Sequence, residues 1–159
     1  MTLPRRLSAT AFTLAATTAF AAPAAAAPAD CMGEPSDTWL TVSIEGLRNG
    51  NGLVTVALYP DDSRQFLAKG GTLKNSRFDA SAPVTRACVF VPKPGVYVIA
   101  VYHDEDSSQM LNRSGFGLPT EGYGFSNNPA TLAGLPAFRS VRLNVPKTGL
   151  TTHVRMKYP

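Results

Sequence analysis

The chain has 159 residues, with 15 Lys and Arg against 11 Asp and Glu and a formal net charge of +4. Two of the cations, Arg5 and Arg6, stand at the extreme N-terminus; without them 13 face 11, or +2, and the rest are scattered rather than striped, so nothing forms the basic face that nucleic acid requires. Behind a leader about 130 residues remain, one domain's worth with no room for a second.

Arg5 and Arg6 precede Leu7 to Phe20, almost wholly apolar or small, which reads as a secretory signal. Ala24-Ala25-Ala26-Ala27 suits a small-residue cleavage site, with the cut placed after Ala26, or alternatively after Ala29. The expected layout is residues 1–26 as signal peptide, 27–38 as N-terminal tail and 39–159 as a single β-sandwich domain. The apolar run is rich in Ala and Thr and no second one follows, so no membrane span is expected after cleavage. Periplasmic or secreted localisation follows. Asp30 stands where a lipid-modified Cys31 would need a small residue, and Leu7-Ser8-Ala9 lends twin-arginine export little support. In an oxidising space Cys31 and Cys88 are expected to form a disulfide pinning the tail to a strand. Their spacing lacks the C-x-x-C form of redox thiols.

Seven runs alternate or are β-branched as strands are, with turn residues between them. Leu40 to Leu47 places Leu40, Val42 and Ile44 on one face, and Asn49-Gly50-Asn51-Gly52 predicts a tight hairpin into Leu53 to Tyr59. Asp62, with Gln65 three residues on, predicts a capped helical turn through Phe66 and Leu67. Thr72 to Phe78 reads as an edge strand and Val84 to Val91 as a strong one. After the turn Pro92-Lys93-Pro94-Gly95, Val96 to Tyr102 is almost continuously apolar, as in a central strand buried on both sides. His103 to Pro136 is too long for an ordinary connection, and loops of that length are usually functional or disordered. Phe138 to Val145 and Leu150 to Tyr158 close the chain around Pro146-Lys147-Thr148-Gly149, and Leu150, Thr152, Val154 and Met156 alternate with polar neighbours.

This pattern predicts an all-β, seven-stranded Greek-key sandwich, with a small closed barrel as the alternative. Pro94-Gly95 leading into Val96-Tyr97-Val98-Ile99-Ala100-Val101 resembles the transthyretin-like and carboxypeptidase-regulatory-like sandwiches, and an immunoglobulin-like arrangement fits the strand count. Two blocks are more specific: Val98-Ile99-Ala100-Val101-Tyr102-His103-Asp104-Glu105, and Gly117-Leu118-Pro119-Thr120-Glu121-Gly122-Tyr123-Gly124-Phe125-Ser126-Asn127-Asn128. On these the chain resembles the exported bacterial family known as domain of unknown function 2141. The resemblance runs from the Leu40 strand to the last one and implies a small secreted β-sandwich of undetermined activity.

Three sites are legible in the long loop. Asp104, Asp106 and Ser108 follow the first oxygen-ligand spacings of a calcium loop, with the Met110 carbonyl and the Asn112 side chain next in line. Gln109 stands where the sharp turn needs Gly and Gly115 where a closing Glu belongs, and relatives often carry a more complete Asp-x-Asn-x-Asn-Gly run. His103 with Asp104 and Glu121, and Asn127 and Asn128 nearby, is an acid–base candidate at the sandwich rim, though Ser126 lacks the strained setting of a catalytic serine. Phe116, Tyr123 and Phe125 lie among glycines, suited to packing beneath the loop or to meeting a ligand.

The reading favoured by the sequence is a non-catalytic binding or accessory module that uses residues 103–128. Its ligand-binding candidates are His103, Asp104, Glu121, Tyr123, Phe125, Ser126, Asn127 and Asn128, and its partner an envelope protein, a peptide or a glycan. The alternatives are a small hydrolase or isomerase using His103 and Glu121, and a calcium-binding structural module through Asp104, Asp106, Ser108 and Asn112. No cofactor other than calcium is expected.

Overall fold

The computed structural model describes residues 26–132, 135–147 and 149–159. The expected signal segment, but for its last residue, and Thr148 of the last turn lie outside these. The strands are β1 (Trp39–Glu45), β2 (Leu53–Pro60), β3 (Lys74–Asp79), β4 (Val84–Phe90), β5 (Gly95–Asp104), β6 (Gly122–Phe125), β7 (Arg142–Val145) and β8 (Leu150–Arg155). They form a three-stranded sheet in the order β4-β1-β8 and a five-stranded sheet in the order β3-β2-β5-β6, with β7 also on β5. The protein is an all-β sandwich of eight strands rather than seven. The additional one, β6, lies inside the long segment expected to be a loop. The run expected from Phe138 opens as a 3-10 turn, Phe138–Ser140, and becomes strand only at Arg142.

β1 alternates strictly: Leu40, Val42 and Ile44 are fully buried and the residues between them half-buried. Each such side chain contributes about 1.5–3 kcal/mol by leaving water. Its edges are taken by β4, antiparallel, and by β8, parallel. The tight hairpin expected from Asn49-Gly50-Asn51-Gly52 therefore does not form, because β2 lies in the opposite sheet against β3 and β5. These residues carry the chain across the sandwich instead. Gly52 adopts φ +66°, and a Cβ there would stand 2.0 Å from the Asp104 carbonyl oxygen, so the crossover passes β5 at backbone distance. From β2 the chain pairs with β3, crosses to β4 and returns as β5 beside β2, which is the Greek-key path.

The main core lies between the sheets, where Leu40, Val42, Ile44, Val89 and Val154 meet Val54, Val56, Leu58, Ile99 and Val101. β2 and β5 are buried on both faces because the five-stranded sheet carries a second apolar cluster outside, made of Ala57, Tyr59, Val98, Ala100, Phe125 and Val141, with Phe66, Tyr123 and Phe138 against it. Phe66 arrives from the turn after β2. Asp62 starts that turn, its carbonyl accepting the Gln65 and Phe66 N–H groups at 3.1 Å, but no helix follows. Gln65 Nε2 donates to the Asp62 carboxylate at 3.5 Å, and the Asp62 N–H donates to the Pro60 carbonyl at 2.8 Å rather than to the Gln65 side-chain oxygen, so the capping box is incomplete. The turn is latched to β7 by a bidentate pair between Arg142 and Asp61.

The tail before β1 is tied down as expected. Cys31 and Cys88 form a disulfide, and beside it Met32 pairs with the edge of β4, its N–H on the Cys88 carbonyl at 2.8 Å and its carbonyl taking the Phe90 N–H at 3.0 Å. At the other side Tyr123 and Lys157 exchange two backbone hydrogen bonds, linking β6 to the end of β8 and joining the sheets along that edge. Among the described residues no helix is long and apolar enough to cross a membrane.

Candidate functional site

His103 and Asp104 are the last two residues of β5, and successive strand residues face opposite ways. His103 shares the inner face with Ile99 and Val101 and is fully buried. Its Nε2 lies 2.8 Å from the Asn51 carbonyl, which only accepts, so Nε2 carries a proton. Nδ1 lies 2.7 Å from the Tyr158 hydroxyl, which itself accepts the Arg48 N–H at 3.2 Å and so has its own proton for the ring. Burial pushes the Tyr158 phenol above its ordinary range, in keeping with a neutral donor. At the surface Arg48 covers the Tyr158 ring and pairs with Glu105 at 2.7 Å. Burial works to raise the Glu105 carboxyl, but the Asn49 and Arg48 hydrogen bonds and the nearby positive charge outweigh it and hold it below the usual range. The interior histidine thus closes a chain of bonds joining β5, the β1–β2 crossover and the C-terminus.

Asp104 faces the other way, into the loop. One carboxylate oxygen accepts the Ser108 N–H at 2.8 Å and the Ser108 hydroxyl at 3.3 Å, and the other accepts the Gln109 N–H at 2.6 Å. Asp106 accepts the Ser108 N–H at 3.0 Å and the Asn112 amide at 2.8 Å, and hydrogen bonding from Ser108, by its hydroxyl first and then its N–H, with that from Asn112, holds its carboxyl below the ordinary range. Glu121 bridges the two ends of the loop, with one oxygen on the Glu105 N–H at 3.1 Å and the other on the Asn112 N–H at 2.9 Å. Oxygens of Asp104, Asp106 and Glu121 lie within 4.8 Å of one another. Both departures from a calcium loop seen in the sequence are met differently in space. Gln109 itself takes the left-handed conformation, φ +64°, and the third carboxylate comes from Glu121 rather than from position 115. Glu121 therefore joins Asp104, not His103.

The Gly-Tyr-Gly-Phe-Ser-Asn-Asn block works as a clasp. Gly122 and Gly124 face inward, where added Cβ atoms would lie 2.4 Å from the Tyr158 ring and 2.6 Å from Val154 Cγ1, so β6 approaches the end of the chain and β8 only without side chains. Tyr123 and Phe125 face outward. β5 pairs with β7 up to Val98 and with β6 from Ala100, and Ser126 fills the break at Ile99. Its N–H donates to the Ile99 carbonyl at 3.0 Å, its hydroxyl accepts the Ile99 N–H at 3.2 Å, and the same hydroxyl donates to the Val141 carbonyl. Asn127 donates to the Ser140 and Arg142 carbonyls. Asn128 meets the free edge of β8 as another strand would, taking the Arg155 N–H at 2.6 Å and donating to the His153 carbonyl at 3.2 Å. The Ser126 hydroxyl, the Asn127 amide nitrogen and both ends of the Asn128 amide, in residues singled out for a ligand, are engaged within the chain.

Tyr123 and Phe125 open onto a groove of about 440 Å3 on the outer face of the five-stranded sheet. Ala57, Tyr59, Ala100 and Phe125 form its floor, with Leu67 to Thr72 on one side and Leu111 to Pro119 on the other. Burial, then the neighbouring Tyr102, push the Tyr59 phenol up, so it stays neutral. Phe116, at the loop tip, is 96% exposed and packs beneath nothing. Sequence reading missed Tyr59, Tyr102, Leu111, Arg113 and Leu118 as lining residues. The apolar runs of β2 and β5 carried the signal, since a strand apolar on both faces must be covered outside as well as inside.

A family model described as "Uncharacterized protein conserved in bacteria (DUF2141)" matches residues 42–153. No curated protein and no solved structure matches the chain.

Proposed function

Because the chain belongs to the DUF2141 family of uncharacterised bacterial proteins, we propose its function from geometry: it is an exported, non-catalytic binding module whose site is the outer groove. The groove carries this reading. Its volume of about 440 Å3 falls among small-molecule sites, and the long loop supplies both a wall, through Leu111 and Leu118, and part of the floor, through Tyr123 and Phe125. Binding is favoured over acid–base chemistry because both His103 ring nitrogens, both Glu121 oxygens and the Ser126 hydroxyl are engaged internally. Export to the periplasm or beyond is supported by the arginine-led apolar leader and by the Cys31–Cys88 disulfide, which suits an oxidising compartment. The test is a set of 1H–15N spectra titrated with short peptides, oligosaccharides and small amphiphiles. Shifts should cluster at Ala100, Tyr102, Leu118 and Tyr123, and vanish in Asn75→Trp, where a large ring obstructs the groove from the exposed edge strand. Binding elsewhere, or binding unaffected by Asn75→Trp, refutes the reading.

The carboxylate triad favours a second reading, in which the same loop holds calcium. Asp104, Asp106 and Glu121 bring three carboxylates together, two of them buried, and among the described residues no Lys or Arg pairs with them. Calcium takes such hard oxygen ligands and would offset their repulsion, with Ser108 and Asn112 adjacent. Melting in millimolar calcium and in chelator decides it: a higher midpoint with calcium supports this reading and an unchanged one refutes it.

A further inference from the structure

We infer that the ligand of the outer groove is a small carboxylate carried on an apolar body, the body against Ala57, Ala100 and Phe125 and the carboxylate at Arg113. The inference rests on the groove being a binding site. Among the described residues Arg113 is the only charged one lining it, and no Asp or Glu takes part. Arg113 forms no ion pair among the described residues; its Nη1 donates to the Gly117 carbonyl at 2.8 Å, while Nε and Nη2 have no partner among them. A guanidinium with donors to spare beside a neutral cleft selects an anion, and its fork fits a carboxylate.

The larger part of the remaining lining is apolar. Leu67, Leu118 and Leu135 stand around the opening with 39%, 50% and 56% of their surfaces in water, a concentration of exposed aliphatic groups that marks a contact surface. The rings at the base, Tyr59 and Phe125, are each 7% exposed and packed edge-on against Phe66, so neither offers its face to a sugar; of the lining rings only Tyr102 and Tyr123 are half-buried. Beyond the tyrosine hydroxyls, Thr72 and Asn75 are the only uncharged polar side chains that the described residues bring to the lining, too few for a ligand with many hydroxyls. Apolar contact therefore supplies the affinity and Arg113 the orientation.

Decanoate, decanol and decyltrimethylammonium, below their micelle concentrations, are the probes, with binding to the full chain followed by calorimetry and 1H–15N spectra. Decanoate should bind about tenfold or more tightly than decanol, the difference expected of a charge-assisted hydrogen bond, and the cation most weakly. Arg113→Gln should bring decanoate down to the affinity of decanol, Arg113→Lys should retain most of the difference, and Asn75→Trp should weaken both. Equal affinity for decanoate and decanol, or decanoate binding unchanged in Arg113→Gln, overturns the carboxylate assignment and leaves the groove as a site for a neutral ligand. Shifts at the groove with peptides or oligosaccharides, and none with decanoate, overturn this inference alone. No shift with any probe overturns the binding reading as well.

Discussion

Replacing Ser126 with Ala tests the clasp at its most buried point. The hydroxyl accepts the Ile99 N–H at 3.2 Å and donates to the Val141 carbonyl, and all three residues are without exposed surface. The substitution removes one oxygen atom, so packing changes little; the cost is polar. A buried hydrogen bond is worth about 1 kcal/mol net, and each buried group left without a partner costs about 1–3 kcal/mol more. Some relaxation around Ile99 and Val141 brings the sum to about 2–4 kcal/mol, against a total stability of about 5–15 kcal/mol for a domain. For a domain of this size the midpoint should fall by roughly 10 °C. Calorimetric melts of Ser126→Ala and of Ser140→Ala provide the measurement, since the Ser140 hydroxyl bonds only the nearby Ala137 carbonyl at an exposed turn and its loss should cost under about 0.5 kcal/mol. A Ser126→Ala midpoint within about 2 °C of the parent, or equal to that of Ser140→Ala, would refute the argument that this serine completes the pairing of β5.

Glu121→Gln keeps one acceptor oxygen for two backbone donors, so amide exchange at Glu105 or Asn112 should quicken by about tenfold or more; unchanged protection at both sites would show that the carboxylate does not brace the loop. Replacing Cys31 and Cys88 together with Ala should lower stability by up to ~4 kcal/mol in the chain-entropy estimate for a loop of this length, and equal denaturant midpoints would argue against the tail being pinned. The Asp62 carboxyl is held at about 2, below its ordinary 3.8, chiefly by the Arg64 side-chain hydrogen bond. A depressed folded-state value means that its contribution is complete above the ordinary value and is lost as pH falls through about 2. A carboxyl carbon titration by NMR should show that midpoint in the parent and a return toward 3.8 in Arg64→Ala; a parent midpoint already at 3.8 contradicts the pairing.

The sequence by itself determined the β class, most of the strands and the disulfide partners. Those features are local or countable. The alternation of Leu40, Val42 and Ile44 declares one buried face, the unbroken Val96 to Tyr102 run declares two, and two cysteines allow one intramolecular pair. Tertiary structure alone decided which edges meet. The Asn-Gly repeat has the residues of a hairpin turn, yet it became a crossover because β4 and β8 occupy both edges of β1. β6 was illegible because two of its four residues are glycines, and their value lies in the backbone approach that β8 and Tyr158 require. His103 and Asp104 are neighbours in the chain and were grouped as one polar site, but the pleat sends one into the core and the other into the loop, where a carboxylate distant in sequence joins it. The groove likewise depends on β2, β3, β5, β6 and three separate loops at once. Periodicity belongs to one strand and can be read from it; a site belongs to the surfaces that several strands bring together, and no single segment encodes which those will be.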